Sequence, residues 1–413
     1  MTNARHAGLS PERLNLLDRV LKEKFVDAGE LPGTLIQVYR RGEIVHTGMS
    51  GMMDIERKKA IREDAIFRIY SMSKPITAVA LMMLVEEGRI ALYDDVADHI
   101  PSWKDLGVLV GGRLGDFRTR APDRPMKVID LCTHTSGLTY SWMKNSNLDA
   151  AYEELVLHEP HTEGGLDGMI DHLSRLPLEF SPGTAWNYSI SMDVMGYLVQ
   201  KLSGMSFGEF LRTRLFEPLG MADTGFFVPA NKLDRFVSCY EPKPGKPLTL
   251  EDDSQNSSRY AAPPKLESGG GGLVSSLADY MRFSRMLLNG GTLDGVRILS
   301  PKTAALFGVN FLPGGKEVPA MMLPAQTDDL GLGGCGFSLA GGVVTNLGNR
   351  QTPGSVGEYF WSGAAATNFW IDPEEDLAVV FMTQLVGWDA KKFFPIQRLL
   401  RTLVYSAFTE NNG

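Results

Sequence analysis

The stretch FRIYSMSKPITAVALMMLVEEG, Phe67 to Gly88, sets the central question of this chain. Ser71 stands three residues before Lys74, Pro75 follows at once, and seven apolar residues run from Ala78 to Leu84. Proline suits the first turn of a helix, and residues three apart share a helix face. Lys74 Nζ can therefore reach Ser71 Oγ at the start of a buried helix. Burial and the positive end of the helix dipole both lower a lysine's pKa, so a neutral amine can accept the serine proton. The same helix start offers the backbone N–H of Ser71 to an oxyanion. The alternative is that Ser71 only caps the helix and Lys74 lies on its surface. This stretch alone leaves both readings open, because S-x-x-K is a short pattern.

Around it lies a globular composition. The chain has 413 residues, 43% of them hydrophobic and 22% charged, enough to bury a large core. The net charge of −8 argues against nucleic acid or an anionic membrane as partner. Cys132, Cys239 and Cys335 are widely spaced, which gives no disulfide or zinc pattern and points to a reducing, cytoplasmic setting. The first residues, MTNARHAGLSPERL, lack the apolar core of a signal peptide, and no apolar run has the length of a membrane span.

Ser10 and Pro11 read as cap and first position of a helix carrying Leu14, Leu17, Val20, Leu21 and Phe25. GTLIQVYRRGEIVHTGMSG then reads as a hairpin turning at Arg41-Gly42. Near the other end, NFWIDPEEDLAVVFMTQ reads as a hairpin turning at Asp372 to Glu375, and a helix follows from Ala390 to about Ser406. A further strand is expected from Phe337 to Thr345. Between about Lys74 and Asn289 the patterns are helical, with Gly204 and Gly290 as stop signals. The expected fold is α/β (α+β): an antiparallel sheet of roughly five or more strands built from both chain ends, flanked by terminal helices. The expected division is 1–73 with 290–413 as the sheet domain and 74–289 as a mostly helical region, with the active site at their junction.

Several patterns imitate known motifs. Gly204 to Gly208 fits G-x-S-x-G, but a helix precedes it and the last histidine, His172, lies before it, so it reads as a turn between helices. Gly331, Gly333 and Gly336 fit a dinucleotide fingerprint but lead into a strand rather than a helix. His158 and His161 are three apart with Pro160 between, which is not zincin spacing. Ser141 and Lys144 form a second S-x-x-K with no apolar helix to bury the lysine.

Six segments in order carry a wider resemblance. They are FRIYSMSKPITAVALMMLVEEGRIALYDDVADHIPSW, KVIDLCTHTSGLTY, LPLEFSPGTAWNYSISMDVMGYLVQKLSG, LFEPLGMADTGF, SGGGGLVSSLADYMRFSRMLLNGG and FWIDPEEDLAVVFMTQ. The chain resembles the serine β-lactamase-like family of class C β-lactamases, penicillin-binding proteins and family VIII carboxylesterases, and among these it most resembles the esterases. The resemblance implies Ser71 as nucleophile, Lys74 as its activator and Tyr188 of WNYS as the second-motif tyrosine, acting as base or proton relay. It departs from the lactamases in two places. Tyr188-Ser189-Ile190 replaces Y-x-N, and Trp361-Ser362-Gly363 stands where K-T-G is expected, as in esterase-like members.

Those losses have a physical meaning. The K-T-G lysine would pair with a lactam carboxylate, whereas Trp361 presents an apolar wall. The implied substrate is a small-molecule ester with an uncharged acyl or alcohol group. Trp361, Ser362, Gly363, Tyr140 and Trp142 are the expected pocket residues, and Ala364 is expected to offer a second oxyanion N–H from an edge strand beside that of Ser71. No metal or cofactor is implied. An acyltransferase, a weak β-lactamase or peptidase, and a catalytically silent ligand-binding member remain as alternatives.

Overall fold

A computed structural model describes residues 4–5, 7–144, 146–155, 157, 162–323, 331–387 and 390–410. His158 and His161 lie outside them, as do the residues just before Gly331.

The N-terminal part supplies strands β1 (Gly33–Arg40), β2 (Glu43–Asp54) and β3 (Lys59–Ala60). The C-terminal part supplies β4 (Cys335–Phe337), β5 (Gly342–Val344), β6 (Tyr359–Ser362), β7 (Asn368–Asp372) and β8 (Leu377–Met382). They form one eight-stranded sheet in the order β4-β5-β6-β7-β8-β1-β2-β3. Every pairing is antiparallel, and the two chain ends meet where β1 lies beside β8, from Leu35 opposite Met382 to Arg40 opposite Leu377. The β1–β2 turn falls at the expected place: Arg41 and Gly42 both have positive φ, 50° and 87°, as a two-residue hairpin turn requires. The strand expected from Phe337 to Thr345 is two strands. The chain reverses between Phe337 and Gly342, with Ala340 at a φ of 60°.

All residues of β1 and β8 are buried, so both faces of the sheet centre are covered. Helix α1 (Pro11–Leu21), capped by Ser10, packs on β2. A π-type turn, Lys22–Val26, extends it toward β1. Helix α2 (Ser73–Glu86) buries every residue from Ser73 to Leu84 and packs along α3 (Ser191–Ser203). A helix apolar on all sides needs neighbours all round, which is why the run after Ser71 has no polar stripe. Helix α4 (Leu277–Leu288) lies on β7, β8 and β1, although it precedes the residue-290 boundary drawn from sequence. Helix α5 (Ala390–Tyr405) packs against α1. Among the described residues, no helix is long and apolar enough to cross a membrane.

The G-x-S-x-G pattern is a turn between helices: Gly204 ends α3 with a φ of 75°, and Ser206 caps Phe207–Leu211. The glycines from Gly331 to Gly336 lead into β4, not a helix.

Candidate active site

Ser71 is delivered by a two-stranded ribbon. Ile66–Arg68 pairs with Val274–Ser276, and a single 3-10 turn, Tyr70–Met72, then leads into α2. Tyr70 sits at a φ of 42°, a region that bulky side chains rarely occupy. Such strain persists only where surrounding contacts fix it. Beneath it, the buried Arg68 donates to Asp252, to the Val237 carbonyl and to Gln384. Gln384 also brackets the Arg68 backbone, accepting its N–H and donating to its carbonyl.

Ser71 does not cap α2. The cap position is Met72, which provides no side-chain hydrogen bond. The Ser71 hydroxyl instead meets Lys74, whose Nζ lies 3.1 Å from Oγ. Lys74 is only 1% exposed, so the surface-lysine alternative does not hold. Its Nζ also donates to the Gly270 carbonyl at 2.6 Å and lies 3.4 Å from Tyr140 Oη. Gly270 can only accept, whereas the two hydroxyls can do either.

The two tyrosines meet Lys74 in different ways. Tyr140, expected as a pocket aromatic, holds the hydroxyl that Lys74 touches. Burial first, then the charge of Asp193 and the neighbouring Tyr188, push its phenol well above the ordinary range. Tyr140 is therefore a neutral hydroxyl. Tyr188 is half-buried and turns its ring toward Lys74, with Nζ 4.5 Å from the ring centre. Its Oη accepts from Trp361 Nε1 at 3.4 Å.

Trp361, Ser362 and Gly363 do not line the cavity above Ser71. The Trp361 indole packs between Tyr188 and Phe337, at 5.8 Å and 5.2 Å between ring centres. It buttresses the tyrosine instead of walling the pocket. Gly363 acts by closeness: a Cβ there would stand 2.3 Å from the Ile69 carbonyl, so only glycine lets the chain after β6 press against the segment leading to Ser71. Ala364 is in the turn after β6, and β6 lies between β5 and β7, so Ala364 is not on an edge strand. Ala364, Tyr140 and Trp142 line the cavity with Ser71.

That cavity holds about 280 Å³. Sequence reading missed Tyr70, Phe226, Tyr260 and Leu266 in its wall, and Arg259. Arg259 is exposed, with its guanidinium 5.3 Å from the Tyr260 ring centre. The wall therefore carries a cationic side chain, although none stands at the Trp361 position.

Asp193 was missed as well. It lies in the first turn of α3, five residues after Tyr188, and is buried. One oxygen accepts from Ser268 Oγ and from the backbone N–H of Gly270. It thereby fixes the loop whose carbonyl receives Lys74. The glycine run from Gly269 to Gly272 was the available signal, since such a run lets backbone approach a side chain closely.

His134, in the THTSGL segment, is buried with its ring centre 4.7 Å from that of Tyr188. Ser189 donates its backbone N–H to Nδ1 at 3.2 Å, so a neutral ring carries its proton on Nε2. Burial, and secondarily the charge of Lys74, hold the His134 pKa well below its ordinary value. As pH falls through about 6.5, the unfolded chain takes up this proton and the native protein does not. Stability from this group is present above that pH and is lost below it, by up to about 1.4 kcal/mol per pH unit. The melting temperature of His134→Gln is expected to fall less steeply than that of the parent between about pH 7 and 5. Parallel slopes would contradict this.

Comparisons with known proteins agree with the fold. A family model described as Beta-lactamase matches residues 19–401. Protein Rv1367c of Mycobacterium tuberculosis (strain ATCC 25618 / H37Rv) is 33% identical over 365 residues, covering 87% of each chain. Esterase EstB of Burkholderia gladioli is 28% identical over 392 residues, covering 89% of this chain and 88% of its own. The solved structure of EstCE1, described as a hydrolase with promiscuous acyltransferase activity, superposes with a TM-score of 0.76 at 23% identity. That match covers 95% of this chain and 98% of EstCE1, and at this identity it speaks for the fold. The match to the family model over nearly the whole length places this chain in the beta-lactamase family.

Proposed function

We propose that the chain is a serine carboxylesterase that hydrolyses short-chain acyl esters through an acyl-enzyme on Ser71. The observation that carries this reading is the buried Lys74 Nζ, 3.1 Å from Ser71 Oγ, at the floor of a cavity walled largely by aromatic rings. Ser71 Oγ attacks the ester carbonyl carbon while its proton passes to Lys74, or to Tyr188 beside it. The carbonyl oxygen becomes an oxyanion and rests on the backbone N–H groups of Ser71 and Ala364. The C–O bond to the alcohol breaks, and the alcohol leaves with the proton that the Lys74–Tyr188 pair held. Water then attacks the acyl carbon and gives a proton to the same pair; the bond from that carbon to Ser71 Oγ breaks, Oγ takes the proton back, and the carboxylic acid leaves. Trp361 Nε1 donates to the Tyr188 oxygen and holds that ring beside Lys74.

The similarity to esterase EstB supports the ester as substrate. The similarity to EstCE1 supports a second acceptor: an alcohol in place of water would make the same acyl-enzyme a transferase intermediate. The buried, free thiols Cys132, Cys239 and Cys335 suit a reducing compartment, and the reading places the enzyme in the cytoplasm. The division into 1–73 with 290–413 and 74–289 stands as part of the same proposal.

The test sets p-nitrophenyl butyrate against nitrocefin. Losing a charge-assisted hydrogen bond to the lactam carboxylate costs about 1.5–3 kcal/mol, roughly 10- to 150-fold. The ester is expected to be turned over faster by at least that factor. Rapid nitrocefin hydrolysis with poor ester turnover would overturn the ester reading. Absence of turnover with both substrates, and of labelling by a fluorophosphonate, would favour a ligand-binding protein.

A further inference from the structure

A second cavity, of about 410 Å³, lies against the first. Phe226 and Pro264 belong to the walls of both. The Phe226 ring is held between two glycines, one from each cavity. A Cβ at Gly272, in the wall of the Ser71 cavity, would stand 3.0 Å from its Cδ1. A Cβ at Gly208, in the wall of the second cavity, would stand 3.2 Å from its Cδ2. The ring thus borders both cavities, with one edge toward a glycine of each. It is buried and packs on Phe207 at 5.7 Å between ring centres.

The second cavity is suited to hydrocarbon. Ile66, Phe216, Val228, Pro263 and Val274 form much of its wall. Of the charged groups around it, Asp223 accepts from Lys232 and Arg235, Arg212 pairs with Glu217, Glu267 accepts the backbone N–H of Gly208, and Glu209 is exposed.

We propose that Phe226 is the residue that sets substrate chain length, by standing between Ser71 and a second cavity that is a subsite for an alkyl chain. The assignment to catalysis rests on the ester reading above; the partition itself does not. The chain belongs to either the acyl or the alcohol part of the ester, and the experiment separates these sources. With the ring in place, only chains that fit the first cavity are accommodated. With the ring truncated, each further methylene that becomes buried multiplies affinity about fourfold.

The experiment uses the parent, Phe226→Leu and Phe226→Ala, each shown to be folded by circular dichroism; the leucine variant serves if the alanine variant does not fold. Rates are measured on p-nitrophenyl esters of butyric, octanoic and dodecanoic acid, and on butyrate esters of butanol and octanol. The long-to-short ratio of kcat/KM is expected to rise by at least about tenfold, the worth of two buried methylenes, in one series. The series in which it rises identifies the part of the ester that enters. Decan-1-ol binding is measured by calorimetry in a Ser71→Ala background, where no turnover occurs. Its affinity is expected to rise by a similar factor on truncation of Phe226. If no ester is turned over but this affinity rises, the partition stands and the ester reading falls. Unchanged decan-1-ol affinity, or unchanged ratios in both ester series, overturns the proposal.

Discussion

Ser71→Ala is expected to lower kcat/KM for p-nitrophenyl butyrate by roughly 10^4-fold or more, the scale on which loss of a nucleophile acts. The fold should be unaffected. Ser71 caps no helix, and the substitution removes one hydroxyl that meets Lys74 at the floor of an open cavity. Lys74 keeps the Gly270 carbonyl and Tyr140 as partners, so no buried amine is stranded. A melting temperature within a few degrees of the parent's is therefore expected alongside the lost activity. Turnover that survives this change would remove Ser71 from the chemistry.

The second large effect is at Lys74. Lys74→Met keeps a flexible side chain of similar length in a fully enclosed site but has no group that takes or gives a proton. The kcat is expected to fall by roughly 10^2- to 10^4-fold, the range of general acid–base assistance, with KM changed much less. A stability cost of about 1–3 kcal/mol should accompany it, because the Gly270 carbonyl loses its donor inside the protein. Circular dichroism separates the two effects. A folded Lys74→Met enzyme with parental kcat would assign the base to Tyr188 alone.

How much of this was legible in the sequence depended on how local the cause was. The Arg41-Gly42 turn, the Ser10 cap and the Gly204 stop each follow from backbone preferences of one or two residues, and the structure has them where they were expected. Strand pairing is not local. That β1 pairs with β8 across more than three hundred residues follows from burial of both faces, which no window of sequence contains. The same distinction holds at the site. Ser71 and Lys74 share one helix start, so their meeting could be read from spacing. Asp193 reaches the Lys74 partner only through the Ser268–Gly270 loop, and Arg259 lines the cavity from a segment far from Ser71 in sequence. Trp361 was read only as standing at the K-T-G position; its orientation toward Tyr188 is set by Phe337 and by the pleat of the sheet. The burial of Tyr140 against Lys74 likewise arises from tertiary packing.

The central claim is that Ser71 carries the acyl group between two half-reactions. Mass spectrometry of the intact protein, quenched in acid within seconds of mixing with a p-nitrophenyl ester, tests it most directly. The account predicts one added acyl mass per chain, mapped by peptide digestion to the segment holding Ser71 and absent from Ser71→Ala. Ester turnover with no acylated species at any quench time, or an acyl group that persists in Ser71→Ala, would contradict it.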